Sequence, residues 1–287
     1  MAGVDVSVVV PVRDGARSLP RLLASLGAQT IARERFELVV VDNRSRDASA
    51  ATARDAGATV LSEPVANRAR ARNTGVAATT APLRAFIDAD CVAAPHWLEA
   101  LTGCAGRAPL VAGRVDVTTG EPPTAVERFE RLWRFEQGHW VPQGWAASAN
   151  LLVHRDAFEA VGGFDPAYPH TAEDADFCLR AGRAGYPLAY CEEAVATHAA
   201  ERALAPMLRR AFFHGYGSRQ ALRRIGQGQC AWRHPGVFWR DATLRQIGYA
   251  RTAFQSEREY RTMRRLARTA YAARVLGSLW AEVQRAG

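Results

Sequence analysis

Apolar residues in the first ninety positions fall into short runs separated by polar stretches of helical period. Val6-Ser7-Val8-Val9-Val10 is β-branched and bounded by Pro11, which predicts a buried strand. Phe36-Glu37-Leu38-Val39-Val40-Val41 predicts a second, ending at Asp42-Asn43, with further strands over 58–61 and 83–87. Helical spacing lies between them, over 18–26 with Ser18 as N-cap, over 49–57 and over 69–78. Strands alternating with helices predict a parallel sheet with crossover helices, a Rossmann-like nucleotide-binding layer. Further on, 151–153 reads as a strand, 155–161 as a helix stopped by Gly162-Gly163, and 173–185 as a helix with acids in its first turn and Gly at its end. Between 110 and 170, Pro, Gly and aromatic residues crowd together. Trp133, Phe135, His139, Trp140 and Trp145 are expected to divide between core and pocket, with Trp145, flanked by Gly144 and Ala146, on the pocket side.

With 287 residues and 48% hydrophobic content, the chain has room for one large α/β domain and a smaller appendage. Charge divides it near residue 200: residues 1–200 hold 20 Arg against 24 acids, residues 201–287 hold 17 Arg against 5, and there is no lysine. In the basic part Met263, Leu266, Ala267, Ala270, Tyr271, Val275, Leu279, Trp280 and Val283 recur at helical spacing with Arg264, Arg265, Arg268 and Arg274 between them. This stripe is expected to pack on the rest of the chain or in a homodimer, with peripheral membrane contact as the alternative. No recognition motif accompanies the charge, so nucleic acid is not an expected partner. Neither a signal peptide nor a bilayer-spanning run is read, and the expected location is cytoplasmic, with the inner membrane face open to peripheral contact. The five scattered cysteines, with no C-x-x-C, argue against a disulfide framework or a zinc site and for reduced thiols. There is no G-x-G-x-x-G after the first strand and no G-x-x-x-x-G-K-[ST] anywhere, so a dinucleotide fold and a P-loop NTPase lose their main support.

Two carboxylate pairs carry the candidate chemistry. Asp88-Ala89-Asp90 ends the run over 83–87 and puts oxygen donors at the mouth of a sheet, where α/β folds bind ligands. Mg²⁺ or Mn²⁺ prefers such donors and is commonly shared with a diphosphate. Glu173-Asp174 opens a helix, where both acids complement the positive end of its dipole.

Six segments, in order, resemble family 2 glycosyltransferases of the GT-A fold: Val8-Val9-Val10-Pro11-Val12-Arg13-Asp14-Gly15; Val39-Val40-Val41-Asp42-Asn43-Arg44-Ser45-Arg46-Asp47; Arg70-Ala71-Arg72-Asn73-Thr74-Gly75; Phe86-Ile87-Asp88-Ala89-Asp90; Gly162-Gly163-Phe164-Asp165; and Glu173-Asp174 with Arg180. The resemblance covers residues 6–200. It implies a GT-A catalytic domain over 1–200, a mixed sheet flanked by helices, with 1–90 binding the nucleotide and 91–200 the acceptor, followed by a mainly helical segment over 201–287. It implies an inverting, metal-dependent transfer of a single sugar from a nucleotide-sugar, expected to be UDP-linked, to a hydroxyl of a glycan, a lipid or a small natural product. Pro11, Val12, Asp14, Asp42, Arg72, Asp88 and Ala89 would bind the nucleotide-sugar, with Arg72 near the diphosphate. Asp90, Asp88 and His198 would hold Mg²⁺ or Mn²⁺, and Asp174, seconded by Glu173, would be the base. Trp145, Asn150 and His170 would line the acceptor pocket. No Q-x-x-R-W motif and no membrane span follows Glu173-Asp174, which favours single-sugar over processive transfer. A sugar nucleotidyltransferase is the alternative enzyme, but it needs a Gly-rich loop after the first strand, and Pro11-Val12-Arg13-Asp14-Gly15 carries one Gly and no Lys. A non-catalytic nucleotide-sugar-binding protein is the other alternative, opposed by the intact carboxylates.

Overall fold

The computed structural model of the chain describes residues 4–132, 134–224, 254 and 256–286; Trp133 and Cys230 lie outside them. Strands β1 (Val6–Val12), β2 (Phe36–Asp42), β3 (Thr59–Ser62) and β4 (Leu83–Ile87) run parallel, as the alternation predicts. Helices α1 (Leu19–Gly27), α2 (Ser49–Asp55) and α3 (Arg68–Ala77) lie between them in the chain. Four further strands, β5 (Cys91–Ala93), β6 (Leu110–Thr118), β7 (Asn150–His154) and β8 (Leu188–Ala199), complete a mixed sheet of order β3-β2-β1-β4-β7-β6-β8-β5. β7 pairs antiparallel with β4 and β6, and β5 antiparallel with β8.

The alternation along β1 builds two core layers. Val6, Val8, Val10 and Val12 pack with Leu19, Leu22 and Leu26 of α1 and with Trp97, Leu98 and Leu101 of α4 (Trp97–Cys104). Val9 points the other way, joining Phe86, Leu151, Phe158 of α7 (Arg155–Ala160) and Phe177 of α8 (Glu173–Arg183). Helix α3 approaches β1 and β2 so closely that a Cβ on Gly75 would lie 2.5 Å from Val9 Cγ1 and 3.0 Å from Val41 Cγ2.

Two expectations are corrected here. Ser18 stands at the N-cap of α1 but makes no cap bond: its hydroxyl donates to Gly15 O at 3.3 Å. Cys104 and Cys191 form a disulfide, with Cα atoms 6.3 Å apart. They are 87 residues apart in sequence. They meet because α4 packs beside β8, a contact that cysteine spacing does not reveal. Cys91 and Cys178 are buried thiols.

The chain divides into two compact units. One comprises residues up to Val117, Phe135–Pro169 and Glu173–Ala199, and holds the sheet. The other comprises Thr118–Arg134, His170–Ala172 and the chain from Ala200 on. The second unit therefore takes in two segments that the 1–200 boundary assigned to the catalytic domain. It contains α5 (Ala125–Arg131), α9 (Leu204–Arg224) and α10 (Glu257–Ala286), while helix α6 (Gln137–Trp140), next after α5 in the chain, belongs to the first unit. Val126, Phe129, Met207, Met263 and Ala267 form its small core. α9 and α10 cross at Gly215 and Gly277, where a Cβ on either would strike the carbonyl of Arg274 or Phe212. The apolar residues predicted as one packed stripe on α10 separate: Met263 and Ala267 are buried, while Leu279, Trp280 and Val283 are exposed. Among the described residues no helix is long and apolar enough to cross a membrane.

Gly75→Val is expected to lower the melting temperature by several degrees, since overpacking costs about 1–3 kcal/mol. An unchanged thermal unfolding curve would contradict the packing of α3 on β1 and β2.

Candidate active site

The first carboxylate pair occupies the turn between β4 and β5, closed by a bond from Cys91 N to Asp88 O at 3.0 Å. β5 then pairs with β8 so that Cys91 faces His198, and this register sets Asp90 beside the histidine. His198 Nε2 lies 3.0 Å from Asp90 Oδ2, and its Nδ1 lies 2.7 Å from Ala199 O. A carbonyl only accepts, so Nδ1 carries a hydrogen and Nε2 faces a carboxylate oxygen. That approach requires a proton or a cation between two acceptors, and a backbone-oriented imidazole is the usual dress of a metal-ligating histidine. Ligand atoms of Asp90, Cys91 and His198 lie within 4.8 Å of one another. The donor set therefore fits a divalent cation.

The second pair begins α8, and Arg72 joins it to the first. Arg72 Nη2 donates to Asp88 Oδ1 at 2.9 Å and Nη1 to Glu173 Oε1 at 2.7 Å. Its side chain is 1% exposed and that of Glu173 2%. The resemblance implies that Arg72 lies near the diphosphate. It stands in the second turn of α3, buried as a strut between the two pairs, with each terminal nitrogen bonded to one carboxylate. Arg68, one turn earlier on the same face, was overlooked. It is half exposed, 3.8 Å from Glu173 Oε1. Partial burial opposes its charge, but the fields of Glu173, Asp88, Asp174 and Asp90 outweigh that and raise its pKa. The signal was present in Arg68-Ala69-Arg70-Ala71-Arg72, whose i, i+4 arginines share one helix face.

The two acids of α8 are pushed apart in titration. Burial works against ionising Glu173, but Arg68 and Arg72 hold its carboxyl below the usual range. Burial and the adjacent Glu173 charge push Asp174 up to about 6, against the pull of Arg72 and of two backbone N–H groups. Those donors are Ala175 N at 2.8 Å and Ser148 N at 3.2 Å. A pair of carboxylates separated in this way suits one fixed charge and one proton acceptor.

Several motif residues position α8 rather than face the site. Asn73 clamps the preceding loop, donating to Phe164 O at 2.7 Å and accepting from Phe164 N at 3.0 Å. Asn67 caps α3 through Arg70 N and donates to Pro166 O at 2.8 Å. Arg180 bonds Asp176 at 2.7 Å and the carbonyls of Val161 and Gly163, and Tyr168 completes Asp176 at 3.0 Å.

At the opposite end of the motif series, the loops after β1 and β2 are bonded together. Asp14 N donates to Ser45 Oγ at 3.0 Å, Gly15 N to Ser49 Oγ at 2.8 Å, Ala16 N to Asp47 at 2.9 Å, and Arg46 N to Asp14 Oδ1 at 2.7 Å. Asp42 accepts from Ser45 N at 3.1 Å, so one of its oxygens closes the turn. Pro11 and Ala89 are half-buried and Val12 is buried.

The three acceptor-pocket candidates separate. Trp145 stacks on Trp140 with ring centroids 4.4 Å apart, three residues before Ser148, and its buried Nε1–H has no partner. Asn150 is a core residue instead of a pocket one. It is fully buried, accepting from Trp97 Nε1 at 2.8 Å and donating to the carbonyls of Arg114 and Ala194. His170 falls in the second unit, with its ring 4.1 Å from that of Phe213.

Comparison with known proteins agrees with this arrangement of elements. The profile of Glycosyl transferase family 2 matches residues 7–161, and that of Glycosyl transferase family group 2 matches residues 86–279. Glycosyltransferase AglE of Haloferax volcanii is 30% identical over 236 residues, covering 77% of each chain. Pre-mycofactocin glycosyltransferase of Mycobacterium tuberculosis is 34% identical over 235 residues, 76% of this chain and 48% of that protein, so the chain spans about half of it. Among solved structures, the mannosyltransferase PcManGT from Pyrobaculum calidifontis, in complex with GDP-Man and Mn²⁺, superposes with a TM-score of 0.66 at 19% identity, over 98% of this chain and 88% of that one. S. aureus TarS 1-349 in complex with UDP gives a TM-score of 0.54 at 15% identity, over 99% and 92%. The sheet, the order of its motifs and these matches make one conclusion: the chain belongs to glycosyl transferase family 2 and is a glycosyltransferase of the GT-A fold.

Proposed function

We propose that this glycosyltransferase moves a single sugar from a nucleoside-diphosphate sugar to an acceptor hydroxyl, with inversion at the anomeric carbon. The observation that carries the reading is the Arg72 bridge, which holds a carboxylate pair suited to a metal and diphosphate beside one suited to a hydroxyl. Asp174 takes the hydroxyl proton as the acceptor oxygen bonds to the anomeric carbon, and the carbon–oxygen bond to the diphosphate breaks. Glu173 stays ionised and keeps Asp174 basic enough for that task. Asp90 and His198 would hold a divalent cation, Mg²⁺ or Mn²⁺, with Asp88 as a further oxygen donor. Such a cation, when bound, neutralises charge on the leaving diphosphate. Arg68, the more exposed of the two site arginines, contacts the diphosphate oxygens. The clamped loops bearing Pro11, Val12, Asp14 and Asp42 receive the nucleotide, and the half-buried Trp145 offers the exposed part of its ring to the acceptor.

A UDP-sugar is the first donor to test. GDP-mannose is the second, favoured by the GDP-Man and Mn²⁺ bound to PcManGT. The acceptor is a hydroxyl on a glycan, a lipid or a small natural product.

Turnover with a divalent cation is expected to rise tenfold per pH unit below about 6 and then level off, because protonated Asp174 cannot accept a proton. Asp174→Asn should lose roughly 10²–10⁴-fold on the plateau above pH 6 and lose the fall below it, and a chelator should abolish turnover. A flat profile below pH 6, or an active Asn variant, would remove Asp174 from the role of base.

Arg68→Ala is expected to raise the donor KM roughly tenfold, about 1.4 kcal/mol, with the melting temperature unchanged. An unaltered donor KM would show that Arg68 does not contact the diphosphate.

A further inference from the structure

We propose that the exposed face of α10 is a docking surface for an anionic lipid bilayer. One continuous face carries two kinds of residue in series. Arg258, Arg261, Arg265 and Arg268 are exposed at spacings of three and four along its N-terminal half. The same line continues through exposed Ala272 to Leu276, Leu279, Trp280 and Val283, which are 58%, 55%, 47% and 63% exposed. The opposite face is used inside the unit: Met263, Ala267, Gly277 and Ala281 are buried against neighbouring helices. Between Glu259 and Glu282 the helix has no acidic residue. Glu257 pairs with Arg261, and Glu282 is held by Arg219 and Arg223 of α9.

Charge complementarity decides the occupant. A bilayer offers phosphates to the arginine half and an acyl boundary to the apolar half, with Trp280 suited to the interface between them. A second copy of the helix does not match. Paired antiparallel across a two-fold axis, the arginines would meet the apolar end, and paired parallel they would meet each other.

The test uses the full chain and sedimentation with vesicles of phosphatidylcholine alone or mixed equally with phosphatidylglycerol. The protein should partition to the mixed vesicles roughly tenfold more strongly, and added salt should weaken the binding. Leu279→Ser with Trp280→Ser, and separately Arg265→Glu with Arg268→Glu, should each reduce partitioning roughly tenfold or more while leaving the melting temperature unchanged. Equal partitioning to both vesicles, or full retention by both variants, would overturn the proposal. A concentration-dependent dimer that the Leu279/Trp280 variant abolishes, without vesicle binding, would also overturn it and assign the face to a second copy.

Discussion

A buried arginine holding two carboxylates is the constraint on which the catalytic unit depends. Asp88 ends a strand, and Glu173 begins a helix 101 residues beyond Arg72 in the chain. Glu173 could not be placed in so dry a site without a cation, because an uncompensated buried charge costs several kcal/mol, while Asp88 is partly solvated. The forked guanidinium satisfies both at once, which lysine's single ammonium does not reproduce. Its consequence reaches Asp174: because Arg72 and Arg68 keep Glu173 ionised, its charge adds to burial in lifting the neighbouring carboxyl. A charge needed to hold the fold together thus also sets the proton affinity at the acceptor side.

The remaining geometry is set by register. The turn after β4 delivers Asp88 to Arg72, and three residues of β5 pairing with β8 deliver Asp90 to His198. Both acids of the first pair therefore act through contacts made in opposite directions from one short turn. Asn73, next to Arg72, pins the loop that leads into α8, so neighbouring residues of one helix fix both the charge and the position of the second pair.

Much of this was legible in the sequence wherever it was local. The apolar runs marked β1 to β4 and β7, and their alternation marked the parallel layer. The acids at strand and helix ends marked the two pairs. What escaped was long-range or too short to pattern. β5 is three residues long, α4 lies in residues 91–109, where no element is read, and β6 falls in a stretch read chiefly for its Pro, Gly and aromatic residues. The Cys104–Cys191 bridge depends on α4 lying beside β8. Arg72 reads as a phosphate ligand by residue type, and only the fold reveals that its two terminal nitrogens bond Glu173 and Asp88. Asn150, polar and beside the aromatic stretch, reads as a pocket residue until Trp97 and two carbonyls are found on its amide. On α10 periodicity identified the apolar residues but not that they divide between opposite faces.

The central claim, that the two carboxylate pairs are joined energetically through Arg72, is tested most directly by a double-mutant cycle in urea unfolding with Arg72→Met, Glu173→Gln and the combination. Each single change should cost about 3–5 kcal/mol by leaving a buried partner uncompensated. The combination should cost at least about 2 kcal/mol less than their sum. Strict additivity of the two single losses would contradict the account.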